Sequence, residues 1–195
     1  MIRLYTALCK SKLAQLSDES IFREATDSFR HYGEKCPCCG SVGKLSSYGG
    51  YPRNLVSYKD GVITESLVNP NRYKCASCGA THALLPDILV PYSPYSLRFK
   101  LTVLLAYFER ETTVEAVCKC FCIAVSTLYA WKKCLLSHKE LLLGVLASRK
   151  EPIHDFLRNI YESACLSDRL QGFFNQHAFS FLQNRSIAPT PSHPP

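Results

Sequence analysis

Cys36-Pro37-Cys38-Cys39-Gly40 and Cys75-Ala76-Ser77-Cys78-Gly79 decide how this chain is read. Each is a Cys-x-x-Cys-Gly knuckle. The two-residue gap lets one tight turn aim both thiolates at one ion, and the glycine that follows tolerates the positive φ such a turn needs. Two knuckles supply four sulfurs, the closed tetrahedral set of a structural zinc site. The expected cofactor is Zn2+, and the expected ligands are Cys36, Cys39, Cys75 and Cys78. Disulfides need an oxidising compartment, and buried free cysteines account for single positions but not for a repeated knuckle. Cys38, inside the first knuckle, reads as a bystander. His82, three residues after Gly79, is the alternative to one thiolate.

Residues 41–74 between the knuckles read as strands. Asp60-Gly61, between Leu55-Val56-Ser57-Tyr58 and Val62-Ile63-Thr64, is a hairpin signal, and Asn69-Pro70-Asn71 marks a second turn. Knuckle, antiparallel strands, knuckle is the plan of a zinc ribbon, and so short a segment draws much of its folding energy from the metal. Arg53, Lys59, Arg72 and Lys74 interleave with Tyr48, Tyr51, Tyr58 and Tyr73. That mix suits contact with a nucleic-acid backbone, and equally a solvated sheet face with tyrosines in packing roles.

Outside the ribbon the pattern is helical. In residues 1–35 Ser17 caps a helix that begins at Asp18-Glu19, carries Ile21, Phe22, Ala25 and Phe29 at helical spacing, and stops at Gly33. Three prolines in 83–96 forbid a long helix there, and a module boundary is expected near Pro94. From Ser96 onward Leu97, Leu101, Leu104, Leu105 and Phe108 line one helical face. Thr112-Thr113-Val114-Glu115 reads as a capping box with Thr112 as cap, opening a helix with Val114, Val117, Cys118 and Phe121 inward. After a break at Cys122-Ile123-Ala124, a third helix begins at Val125. Val125, Leu128, Trp131 and Leu135 are expected inward, with Ser126, Thr127, Tyr129, Ala130 and Lys133 outward. Short helix, tight turn, then a helix with hydroxyls at its start and lysines further on is helix-turn-helix geometry. Ser126, Thr127 and Tyr129 would reach base edges, and Lys132 and Lys133 phosphates. On periodicity alone, an ordinary three-helix bundle with a polar face explains the same residues.

The knuckles, Tyr48-Gly49-Gly50-Tyr51-Pro52-Arg53, the run from Cys78 into Thr81-His82, and Ile123–Lys133 together resemble the N-terminal DNA-binding region of insertion-sequence transposases. The match covers roughly residues 36–140. The resemblance implies a zinc ribbon ahead of a helix-turn-helix, double-stranded DNA as partner, and a separate recombinase or transposase subunit for the chemistry. Such turns usually carry Gly where Cys122 stands and a Ser or Thr cap where Ala124 stands. The catalytic domain of those enzymes, with three separated carboxylates on a ribonuclease-H-like sheet, has no counterpart: Glu151, Asp155, Glu162 and Asp168 fall on a helical pattern.

Charge and composition narrow the classes further. The chain has 195 residues, 47% hydrophobic and 20% charged, which indicates a globular protein. Its net charge of +7 is concentrated in residues 95–150, with 9 basic and 4 acidic side chains. The apolar runs Ile2 to Cys9 and Leu141 to Ala147 make neither a signal peptide nor a membrane span, and seven cysteines beyond the zinc set fit a reducing compartment. Cys118, Cys120 and Cys122 alternate, which a helix spreads over different faces, so they read as small core residues. No phosphate-binding glycine loop and no histidine pair on a helix face occurs.

The resulting expectation is an α+β chain: an N-terminal helix (1–35), a zinc ribbon with connector (36–94), a helix-turn-helix module (95–150), a helical and aromatic segment (151–185) and a disordered tail (186–195). The expected function is duplex DNA binding without catalysis in the cytoplasm, with no membrane. A protein-interaction module or a degenerate transposase fragment is the alternative. The DNA-contact set is Ser126, Thr127, Tyr129, Lys132, Lys133, Arg53, Arg72 and Lys74.

Overall fold

The strands between the two knuckles are sorted into two sheets. The structure, a computed structural model, describes residues 1–5, 8–163 and 166–184; the expected tail and Cys165 lie outside them. The cysteine-bearing sheet has the order β1-β6-β5-β2, from Ile2–Leu4 (β1), Leu45–Gly50 (β2), Asn71–Cys75 (β5) and Thr81–Pro86 (β6). Leu45 faces Cys75 and Ser47 faces Tyr73 across β2 and β5, Tyr73 faces His82 across β5 and β6, and β1 runs parallel to β6 with Ile2 beside Leu84. Ile2, Cys36, Leu45, Tyr73, Cys75 and Leu84 form a small core of their own on one side of this sheet.

The second sheet is the hairpin of Arg53–Lys59 (β3) and Val62–Val68 (β4). Its turn places Asp60 at φ 50° and Gly61 at φ 81°, the two positive values that a two-residue turn of the favoured hand requires. The hairpin packs against the helices, with Leu55 and Val68 buried in the main core. No break in packing occurs at Pro94: the Val56 amide donates to Pro94 O at 2.8 Å, and the Ser96 amide donates to Val56 O at 2.9 Å.

The N-terminal segment is not one helix. It comprises β1, a short helix Lys10–Gln15 (α1), a helix Asp18–Ser28 (α2) and a 3-10 turn at His31–Gly33. Ser17 caps α2 by accepting from the Ser20 amide at 3.1 Å, and Ile21, Phe22 and Ala25 are buried. The helix stops at Ser28, before Gly33, because Phe29 turns extended and lays its ring against Tyr73, 5.4 Å between centroids.

Leu97–Glu109 (α3) is the central helix. Leu97, Phe99, Leu101, Val103 and Leu104 are all buried, more than one stripe, as befits a helix surrounded on several sides. Val114–Cys120 (α4) is capped by Thr113, whose hydroxyl accepts from the Ala116 amide at 3.2 Å. Thr112 is not the cap, so Glu115 sits one position too early for a capping box. Val125–Leu143 (α5) follows after Cys122, which takes φ 50° in the break, and the α4–α5 pair is bent by 102°. Leu128, Trp131 and Leu135 are buried as expected, whereas Val125 at the helix start is 41% exposed. Cys118 is a core residue, but Cys120 and Cys122 are exposed. Val145–Lys150 (α6), Ile153–Tyr161 (α7) and Leu166–His177 (α8) complete the helical body. Among the described residues, no single helix is long and apolar enough to cross a membrane.

Two buried carboxylates tie the parts together. Asp18 of α2 pairs with Arg98 of α3 at 2.5 Å. Asp87, just past β6, accepts from the Leu8 amide at 3.3 Å and from the Ser167 hydroxyl of α8. Burial pushes Asp87 up to about 6, and the Ser167 hydrogen bond and the Arg3 charge offset this only in part. The folded state therefore holds a proton that the unfolded chain releases near pH 4. Stability falls as pH rises from about 4 to about 6 and is level above. In urea melts Asp87→Asn is expected to exceed the parent by on the order of 2 kcal/mol at pH 7 and to match it at pH 4. Parallel pH profiles for the two proteins would show that Asp87 titrates normally.

Candidate metal centre

The two knuckles are built alike. In the first, the Gly40 amide donates to Cys36 O and the Cys36 amide to Ser41 O, both at 2.9 Å; in the second, the Gly79 amide donates to Cys75 O and the Cys75 amide to Ala80 O, again at 2.9 Å. Gly40 and Gly79 take φ 75° and 72°, so a Cβ at either would strain the turn. Each knuckle thus turns one buried sulfur, Cys36 or Cys75, and one exposed sulfur, Cys39 or Cys78, toward a common point.

The four ligand atoms lie within 4.8 Å of one another. Cys36 Sγ is 3.7 Å from Cys78 Sγ, and Cys39 Sγ is 3.7 Å from Cys75 Sγ. A tetrahedron with metal–sulfur bonds of about 2.3 Å has edges of about 3.8 Å, so the donor set fits a four-coordinate thiolate-bound ion. The ring of His82 is buried, with Nε2 3.2 Å from Cys36 Sγ. It therefore stands beside the cluster as a hydrogen-bond partner of one sulfur, where it can orient and polarise that ligand. The Cys38 amide points at Cys36 Sγ from 3.4 Å, while its own side chain is exposed.

Proton affinities within the cluster are driven apart. The Ser41 hydroxyl and then the Ser41 amide draw the Cys39 thiol down to about 6. Cys75 is lowered by the Cys78 and Ser77 amides. The Ala80 amide pulls Cys78 the same way, but burial and the three neighbouring sulfurs outweigh it and push that thiol up to about 12. Four sulfurs this close cannot all shed protons unless a cation takes their place, and loading such a site releases protons.

The residues expected to meet DNA divide into three groups. On α5, Ser126, Tyr129 and Lys133 are exposed and Thr127 is half-buried. Lys132 is engaged: its Nζ donates to Tyr107 Oη at 2.9 Å and lies 5.7 Å from the Tyr129 ring centroid. On β5, Arg72 and Lys74 both lie over the Tyr48 ring, at 5.8 and 5.5 Å. Arg53 belongs with neither group, because its guanidinium turns inward and donates to Val90 O and Ser93 O.

A further cysteine escaped sequence reasoning: Cys134 and His138 stand four residues apart on α5, but the cleft they share is closed by residues far along the chain. Cys134 Sγ lies 3.6 Å from His138 Nε2, in an open cleft of about 430 Å³ shared with Phe179 and Gln183. The Leu182 amide donates to His138 Nδ1 at 3.0 Å, which leaves the ring proton on Nε2, facing the sulfur. Burial pushes Cys134 up to about 11 and His138 down to about 4. The pair is set as a neutral thiol beside a neutral imidazole, the opposite of an activated nucleophile.

No curated protein and no solved structure matches the chain. Residues 36–131, just under half of the chain, match a family model described as a domain of unknown function (DUF6431), a span that opens on the first cysteine of the cluster and closes on the buried Trp131 of α5.

Proposed function

We propose that this chain is a zinc-dependent double-stranded DNA-binding protein of mobile-element type, a zinc ribbon joined to a helix-turn-helix, which leaves catalysis to a separate recombinase or transposase subunit. The observation that carries the reading is the α4–α5 pair. Its 102° bend lies within the range for helix-turn-helix pairs, about 90–120°. The second helix presents Ser126 and Tyr129 to solvent at its start and Lys133 one turn on. Arg110, Lys119, Lys133, Arg149 and Lys150 are exposed and support it, although Arg98, Lys100 and Lys139 of the same segment are buried, and zinc is the ion that a set of four thiolates favours.

The test is a salt series of affinity for random duplex DNA with the metal-loaded chain, repeated after chelation. Binding should be tight at low salt and fall steeply as salt rises. Lys133→Ala should weaken all sequences alike and lower the salt slope by about one, whereas Lys132→Ala should act less, since Tyr107 already holds that amine. A folded, metal-loaded chain that binds no duplex at low salt would sink the reading. One observation favours a second reading, an assembly module: the adjacent Val145 and Leu146 at the start of α6 are 53% and 77% exposed, and exposed apolar side chains placed together mark protein contacts.

A further inference from the structure

The outer face of the cysteine-bearing sheet carries a feature that duplex binding by α5 leaves unused. Successive residues of a strand point to opposite sides. Tyr73, Cys75 and Leu84 face the small core, so Arg72 and Lys74 face away from it. Across the pairing, Ser46 stands opposite Lys74, and the register then shifts by a bulge between Ser47 and Gly50. That bulge lifts Tyr48 out of the ladder, and Gly49 takes φ 75° to permit it. The result is a tyrosine ring 53% exposed, with the Arg72 guanidinium 5.8 Å and the Lys74 amine 5.5 Å from its centroid. Beside it Ser46 and Thr81 are small and exposed, so the ring stands over a low floor, while Ala83, opposite Arg72, already packs against the main core. None of the four strands contains an aspartate or glutamate, so this positive charge has no partner within the sheet.

We propose that this face binds single-stranded nucleic acid, with one base stacked on Tyr48 and the flanking phosphates held by Arg72 and Lys74. The exposed part of an aromatic ring accepts the π-face of any base, with the two cations over the Tyr48 ring free to swing to the backbone on either side. Arg72 and Lys74, two residues apart on one strand, are spaced by about 7 Å, suited to neighbouring phosphates of an extended strand. A duplex cannot use the ring, because its base faces are covered by their own stacking. A stretch of unpaired bases offers both the faces and the charge. The site goes beyond the duplex reading and stands or falls separately from it.

The experiment uses the full, metal-loaded chain and three probes: a labelled ten-nucleotide oligothymidine, thymidine monophosphate as competitor, and a blunt random duplex. Fluorescence anisotropy should show the oligothymidine bound. Tyr48→Ala should weaken that complex about tenfold to a hundredfold, the range expected for loss of one stacked base. Tyr48→Phe should retain it, and both variants should bind the duplex as the parent does. Arg72→Gln with Lys74→Gln should flatten the salt dependence for the oligothymidine. The monophosphate should compete only weakly, because it offers one phosphate to two cations; competition as strong as the oligomer's would overturn the strand and leave a free-nucleotide site. An oligothymidine that does not bind, or that binds Tyr48→Ala as well as the parent, overturns the proposal. Loss of duplex binding alone, in α5 variants, would touch only the helix-turn-helix reading.

Discussion

Cys75→Ser should abolish stoichiometric metal binding and unfold the cysteine-bearing sheet while leaving most of the helical body intact. Cys75 is the fully buried member of the second knuckle, and its sulfur is 3.7 Å from Cys39 Sγ. A serine hydroxyl neither reaches the ion as a thiolate does nor deprotonates readily, so one corner of the tetrahedron is lost. The sheet has little else to hold it. Among the described residues its own core has six buried members, two of them cysteines of the cluster, whereas the main core around the helices has five times as many. A core that small does not stabilise a fold unaided. Structural zinc in small modules contributes on the order of 10–16 kcal/mol at neutral pH. Metal analysis of the purified variant should find no bound ion. Hydrogen exchange should show amides of β2, β5 and β6 unprotected while those of α3 and α5 keep their protection. Chelation of the parent should do the same reversibly, and Cys38→Ser should do neither, because that sulfur lies outside the group of four that converge on one point. One tightly held ion per Cys75→Ser chain would rule out the four-thiolate set.

Arg98→Ala should cost about 3–5 kcal/mol, the range for breaking one side of a buried ion pair. The pair is dry, with Arg98 3% and Asp18 0% exposed. Asp18 is the first residue of α2, and Arg98 is the partner of its buried carboxylate. Arg98 Nη1 donates to Leu13 O at 2.6 Å and to Leu16 O at 3.2 Å, which closes the C-terminal end of α1. One guanidinium therefore joins α1, α2 and α3. Its removal strands a carboxylate that burial already pushes above its ordinary range. Thermal or urea unfolding measures the loss, and Asp18→Leu combined with Arg98→Met should recover much of it, since an apolar pair leaves no buried charge. A loss below about 1 kcal/mol for Arg98→Ala would show that water reaches the site.

The four-cysteine cluster was legible because its signal is local: two knuckles, each with spacing, turn and glycine inside five residues. The Asp60-Gly61 hairpin was legible for the same reason. What escaped depends on partners far along the chain. Three residues, Ile2–Leu4, show no periodicity, and only their pairing with Leu84–Pro86 makes them a strand. Arg53 looked like a free cation among tyrosines because sequence does not reveal that Val90 and Ser93 carbonyls surround it. Thr112 and Thr113 are equivalent caps by composition, and the choice between them is made by where α4 docks. Val125 read as inward from helical period alone, yet as the first residue of α5 after the Cys122 break it is 41% exposed, while Leu128 three residues on is buried.

The parallel pairing of β1 with β6 bears on how the molecule assembles. Ile2 and Leu84 must meet across some eighty intervening residues, and contacts so distant in sequence form slowly because loop closure precedes any reward. Cys36 and Cys75 sit between these strands in the chain, and an ion held by both knuckles shortens the effective separation between the partners. Metal capture then acts as a kinetic shortcut. Refolding with the ion present should be faster than in its absence, with the gain concentrated in the phase that orders the first strand.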